Sequence, residues 1–409
     1  MRFETILFVT SSTFLVCAPA ALARADAAIT LPPGDSTEAG AGVSTASRTH
    51  LGGYAELHYG LGWQDDFAAR TAELDLHRLV LFVGHDYDER LRFFSEIEIE
   101  HTNEVGIEQA YVDYALFVGD VGDRLALRAG IVLVPLGIVN QWHEPTVFHG
   151  VERPTVDRRI LPTTWREGGV GVAGRLGGLR VQLYFVGGLD AGGFSAGNAL
   201  RGGRQAVAEA KARGLAVTGR VEWEPTLGAV GGAAGYAGLA GPNATLYGPS
   251  PAPGQDGRRR NLDVPVAVGA LDARWIRGAL ETRAALAWGV IGQSAELSTA
   301  FLAPDSTSPV GAVGAAFLGL YGEVAYDVLA HTGSTHRVFA FARVEYYDTM
   351  AGVAPGVTDD PTRASTDVIA GISFRPHASV VFKSDFAWRA PGGSAPAQKT
   401  FGLGVGLTY

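Results

Sequence analysis

The chain has one cysteine, Cys17, and three lysines, Lys211, Lys383 and Lys399, among 409 residues. A single cysteine cannot close an intramolecular disulfide, so a disulfide-stapled scaffold is excluded. Beyond the N-terminus there is no apolar run of the roughly 20 residues that a membrane-spanning helix needs. Long stretches of helical period are missing as well. No polybasic block is present, and the formal net charge is −9. That balance favours neither nucleic acid nor a polybasic membrane contact.

The N-terminus is different in kind. Arg2 is followed by a largely apolar stretch, Ile6 to Val16, and then by APAALARADA. A basic start, an apolar run and an A-x-A site read as a secretory signal over residues 1–25, with cleavage after Ala23 or Ala25. Cys17 leaves with it, and the bulky Val16 argues against a lipoprotein site. Residues 26–50 are rich in Ala, Gly, Ser and Thr without periodicity, and read as a flexible lead-in.

What the chain does have is glycine, 55 of it, and alternation. In Leu91–Glu100, Leu91, Phe93, Ile97 and Ile99 share one face, and Arg92, Glu96, Glu98 and Glu100 the other. Leu125, Leu127, Ala129 and Ile131 oppose Arg124 and Arg128, and Tyr111 and Asp113 oppose Val112 and Tyr114. Period two is the strand signature. Sixteen such strands are predicted, near 51–61, 71–84, 90–101, 107–117, 124–134, 168–176, 179–187, 214–224, 229–239, 263–274, 279–290, 315–328, 336–347, 366–375, 378–389 and 399–409. Gaps after even strands are short, and those after odd strands are mostly long. A sandwich has no reason to sort loop lengths by parity, whereas an outer-membrane barrel does. Closed barrels are also one of two ways to satisfy a backbone in hydrocarbon, and the helical way is missing. Outward faces that end in aromatics, such as Phe386 and Trp388, suit interfacial girdles. The fold class is therefore all-β, a transmembrane antiparallel barrel over residues 51–409.

The longest interruption that carries a pattern of its own is Pro135–Glu167. It follows the fifth strand, which makes it the third long-side loop. Pro135, Pro145, Pro154 and Pro162 restrict its backbone. Trp142, Phe148, Val151, Ile160, Leu161 and Trp165 are too apolar for a loop in water and need a surface to pack on. The inner wall is one candidate, and a lid over the mouth is another. Its charges balance: Arg153, Arg158, Arg159 and Arg166 against Glu144, Glu152, Asp157 and Glu167. With inward Arg92, Arg128, Glu96, Glu98 and Asp113, these are the candidate constriction and channel-lining residues. Rings of carboxylate favour cations and rings of arginine favour anions. His143 and His149 belong to the same candidate channel-lining set, but no dependable ligand spacing surrounds them, so neither a metal nor a cofactor is expected.

A signal segment, sixteen strands, a long third loop and a terminal aromatic resemble a general bacterial porin. The runs QAYVDYALF, LRAGIVLVPLGIVN and WREGGVGVAGRL, over roughly residues 106–176, resemble more narrowly the phosphate-selective porin O and P family. That resemblance implies a third loop folded into the lumen, passive diffusion of small hydrophilic or ionic solutes, phosphate among them, and a homotrimer in outer-membrane lipid. The scarcity of lysine departs from the family's strongly basic interior. The short second loop, Thr102–Gly106, departs from the latch that joins trimers. Two other classes compete: a closed structural or adhesive barrel, and an outer-membrane hydrolase. No nucleophile motif surrounds Ser95 or His101, so an enzyme is not expected.

Overall fold

The computed structural model describes residues 48–119, 122–248, 259–303, 306 and 309–409. The expected signal segment, 1–25, and nearly all of the expected lead-in, 26–50, lie outside these residues. Sixteen strands form one closed antiparallel barrel in which every strand pairs with its sequence neighbours. They are β1 (Thr49–Trp63), β2 (Thr71–Asp86), β3 (Leu91–Glu100), β4 (Glu104–Val118), β5 (Arg124–Leu133), β6 (Arg166–Leu176), β7 (Leu179–Gly187) and β8 (Leu215–Thr226). Then follow β9 (Ala229–Leu239), β10 (Pro265–Arg277), β11 (Leu280–Ile291), β12 (Ala316–Asp327), β13 (Arg337–Gly352), β14 (Ala364–His377), β15 (Val380–Pro391) and β16 (Gln398–Thr408). All sixteen predicted strands are present, and the turns and loops keep the predicted parity. The seam joins β1 to β16, with Tyr54 opposite Thr408. There the Gly53 amide donates to the Tyr409 carbonyl at 3.0 Å, and the Tyr409 amide returns a bond to Gly53 at 2.9 Å.

Alternation sorts the two faces of the wall. Outward side chains such as Leu74, Val221, Leu271, Leu320, Ile372 and Leu403 are exposed and apolar. Two aromatic rims bound this band. Phe117, Trp223, Trp275, Tyr326 and Phe374 lie at the short-turn end, and Phe185, Trp288, Tyr346 and Trp388 toward the long-loop end. An apolar band between aromatic girdles is the outer surface that a bilayer solvates. The inward face carries buried charge instead, for example Glu56, Arg78, Arg220, Asp272, Glu323 and Arg343.

The third loop begins one residue earlier and ends two residues earlier than expected, and it is not structureless. Arg166 pairs with Leu133, and Glu167 with Val132. Both therefore belong to the wall, and the loop runs over 134–165. It contains short helical turns at Ile138–Gln141, Pro145–Val147 and Thr155–Arg159.

Candidate functional site: a loop packed inside the barrel

The loop meets side chains that point inward from strands on both sides of the barrel's seam. Near its start, His143 Nε2 lies 3.1 Å from Glu96 and 3.2 Å from Glu108, on β3 and β4. The Val147 carbonyl accepts from Arg283 of β11 at 2.5 Å. His149 reaches Ser373 of β14 at 3.0 Å and Glu281 of β11 at 3.3 Å. The Val151 amide donates to Asp385 of β15 at 2.7 Å, and the Val156 amide to Glu345 of β13 at 3.1 Å. Thr155 donates to Asp367 of β14 at 3.2 Å. Glu152 faces His58 of β1 at 3.2 Å. These partners come from β11, β13, β14 and β15 and, across the seam, from β1, β3 and β4, so the loop packs against the inward side chains of about half of the wall.

Glycine on the wall makes room for it. A Cβ at Gly406 would sit 2.4 Å from Pro145 Cβ, one at Gly402 3.2 Å from Val151, and one at Gly319 2.8 Å from Ile160. All three glycines occupy inward positions, so the bare backbone of β12 and β16 is the seat of the loop. The apolar loop residues are spent on the same contact. Phe148, Ile160, Leu161 and Trp165 are fully buried. Burial of one such side chain contributes about 1.5–3 kcal/mol, enough to hold the loop in place.

The expected channel-lining residues point inward, but many do not face open water. Glu96, Glu98, Asp157, His143, His149 and Arg153 are buried against the loop or within it. Arg153 donates to the His143 carbonyl at 3.2 Å. Glu98 faces Arg78 at 3.7 Å. Glu144 is half-buried in the loop. Arg128 forms a two-bond pair with Asp113, at 2.7 and 2.8 Å, and lies 3.7 Å over the Tyr111 ring. Arg92 pairs with Asp86 at 2.9 Å at the short-turn end. Arg158 pairs with Glu152 at 2.9 Å. Arg159 is exposed over Tyr347, 5.5 Å from its ring centre, and forms no ion pair among the described residues. Of the loop's carboxylates, Glu152 braces it through His58 and Arg158, whereas Arg159 stays available.

Two features were not visible in the sequence. The first is a grip on the loop from above. Arg201 and Arg204, in the segment 188–214, donate to the carbonyls of Arg158 and Thr163 at 2.5 and 2.9 Å. Arginines 158, 159, 166, 201 and 204 thus gather at the long-loop end. Burial, with Arg201 and Arg166 nearby, pulls Arg204 down to about 10. The second feature is a cavity of about 180 Å³ on the short-turn side of the loop. Trp142 and Gln141 roof it, and Arg124, Arg128, Arg175 and Arg180 stand on its wall with Asp113, which pairs with Arg128, and Glu222, which pairs with Arg180. The inward arginines of successive strands could be read from alternation. Their convergence under the loop depends on where the loop goes.

No family model matches the chain. An uncharacterized protein of Aquifex aeolicus (strain VF5) is 32% identical over 349 residues, which cover 82% of this chain and 74% of that protein. The chain belongs to that protein's family. Solved structures extend the comparison to fold. OprB of Pseudomonas putida superposes with a TM-score of 0.55 at 12% identity, over 88% of this chain and 94% of OprB. The anion-selective porin from Comamonas acidovorans gives 0.54 at 12% identity, over 88% and 99%. The trimer form of OmpT of Vibrio cholerae gives 0.50 at 10% identity, over 89% and 100%. The family to which this chain belongs therefore has the fold of bacterial outer-membrane porins. At these identities the likeness speaks for fold and not for solute.

Proposed function

We propose that the protein is a porin-type channel of the bacterial outer membrane, exported by residues 1–25, that passes small hydrophilic solutes and favours anions. One observation carries the anion preference: the arginine cluster at the long-loop end lies above a second set of arginines beneath the loop. A solute that enters meets guanidinium groups on both sides of the constriction. Guanidinium suits phosphate and carboxylate oxygens, and phosphate is the solute that the narrower resemblance suggests. The wall also carries many carboxylates, but most are engaged in pairs, Asp113 with Arg128 and Glu222 with Arg180 among them, which leaves Arg159 and the carbonyl-bonded Arg124, Arg201 and Arg204 to set the field. The protein is proposed as a homotrimer without enzymatic activity. A hydrolase assay on the purified protein is expected to give no turnover.

Reversal potentials across a planar bilayer test the selectivity. Anion preference is expected, and it should fall when Arg158→Ala and Arg159→Ala are combined. Cation preference that persists in that double variant would end the anion reading.

A second reading has its own support. Glu108, Glu345 and Asp367 point inward at mid-barrel and are 0% exposed. Wall charges of a wide aqueous channel keep some contact with water. A barrel sealed by its loop, with a structural or adhesive role, accounts for that burial. Conductance separates the two, because a sealed barrel gives none.

A further inference from the structure

We propose that the lumen carries a binding site for a divalent first-row transition-metal ion, zinc by preference, formed by His58 of β1, His77 of β2 and Glu152 of the inner loop. The sequence places these residues far apart, and no spacing motif links them. The barrel brings one ligand atom of each within 4.8 Å of the others. A zinc ion with bonds of about 2.0–2.1 Å holds its ligands roughly 3.4 Å apart, so the half-exposed His77 and Glu152 would close on the buried His58. The imidazoles of His58 and His77 stack, with ring centres 4.5 Å apart and planes 15° from parallel, so binding requires the half-exposed His77 ring to turn toward the ion.

The surroundings are those of a metal site. Ligating histidines usually give their second ring nitrogen to a carboxylate, which fixes orientation and raises ligand basicity. His58 has Glu56 on Nε2 at 3.1 Å and Glu152 on Nδ1 at 3.2 Å, so an ion would take the place of the Nδ1 hydrogen bond and keep the Glu56 partner. His77 has Asp75 on Nδ1 at 3.2 Å, which leaves Nε2 for the same ion. Glu56 is itself held by Arg78 at 3.1 Å. The second oxygen of Glu152 is held by Arg158 at 2.9 Å. Each of the three ligands therefore has an outer partner. Two imidazoles and one carboxylate leave a fourth position open to water or solute. The site is also reachable, since the side chains of His77 and Glu152 are 25% and 34% exposed. A neighbouring trio, Asp75, His77 and His101, shares two residues with this shell. It lacks a loop ligand, and its Asp75 already serves His77. The Glu96, Glu108 and His143 trio is fully buried beneath the loop and has no such access.

An ion at this place would tie the loop to the wall, because Glu152 belongs to one and the histidines to the other. The inference does not depend on whether the barrel conducts. The test uses the folded mature protein in detergent, its barrel verified by circular dichroism. Cobalt is titrated by its visible spectrum and zinc by calorimetry. One equivalent is expected to bind, with loss of the signal in His77→Ala and in Glu152→Gln. Asp75→Asn should weaken binding roughly 10–100-fold, the usual effect of removing an outer partner. Zinc should also slow tryptic cleavage after Arg158 and Arg159 in the parent protein and not in Glu152→Gln. Glu152→Gln lies on the loop, so it tests the site even if His77→Ala does not fold. Binding that survives Glu152→Gln but is lost in His101→Ala would overturn the assignment. So would the absence of stoichiometric binding at millimolar metal.

Discussion

The inner wall is built from charged residues whose partners are also buried, and this fixes what single substitutions do. Arg343 stands between Glu323, at 3.1 Å, and Glu345, at 2.8 Å, and all three are nearly inaccessible. Removing one member of a buried charged set leaves the rest uncompensated, which costs about 3–5 kcal/mol. Arg343→Met should therefore lower the urea-unfolding free energy by that order, read from tryptophan fluorescence in lipid vesicles. Arg159→Ala should leave it unchanged, because Arg159 is exposed and holds no carboxylate. The sequence could separate inward from outward residues, as Glu96 and Ile97 show. It could not tell that Glu96 would be sealed under His143, because that depends on a contact between a strand and a loop distant in the chain.

At the scale of elements, the loop and its seat form one unit. Gly406→Val would press the new side chain on Pro145 and displace the loop. Overpacking of this kind costs about 1–3 kcal/mol. Trypsin should then cut faster after Arg158, and unitary conductance should rise. The opposite manipulation is equally open. Among the described residues there is no cysteine, and a Cβ at Gly402 would lie 3.3 Å from Val151 Cβ, close to the roughly 3.5–4.5 Å of a disulfide. Val151→Cys with Gly402→Cys should cross-link on mild oxidation and resist trypsin until reduced. The strands were legible because period two is local and repeats sixteen times. The third loop was legible as an anomaly, too apolar and too rich in proline for water. Its short helical turns were not, because their ends are satisfied by wall residues: Glu345, for example, accepts the Val156 amide. The same holds for the cap in which Asn243 bonds the carbonyls of Gly188, Leu189 and Gly214 at 3.0–3.1 Å.

For the whole molecule, the barrel and the plug can be separated. Deleting 138–163 and bridging with glycine and serine should leave the barrel folded, since no wall strand is shortened. Single-channel recordings should then give a much larger step, and selectivity should weaken as the arginines of the loop disappear. Recordings of the intact protein should group in threes if the trimer forms. Steps that are always single would make it a monomer.

The seam between β1 and β16 has a consequence for biogenesis. Its two edges lie at opposite ends of the barrel's chain, so the ring cannot be completed as the polypeptide emerges. Until the last strand arrives, two edges with unpaired amides and carbonyls are open to any other strand. Contacts of such long range also form slowly. Until it closes, the unfinished barrel is therefore prone to aggregation. Closure is then one late event, and a variant that loosens the bonds of Gly53 to Tyr409 should delay it more than it weakens the finished barrel.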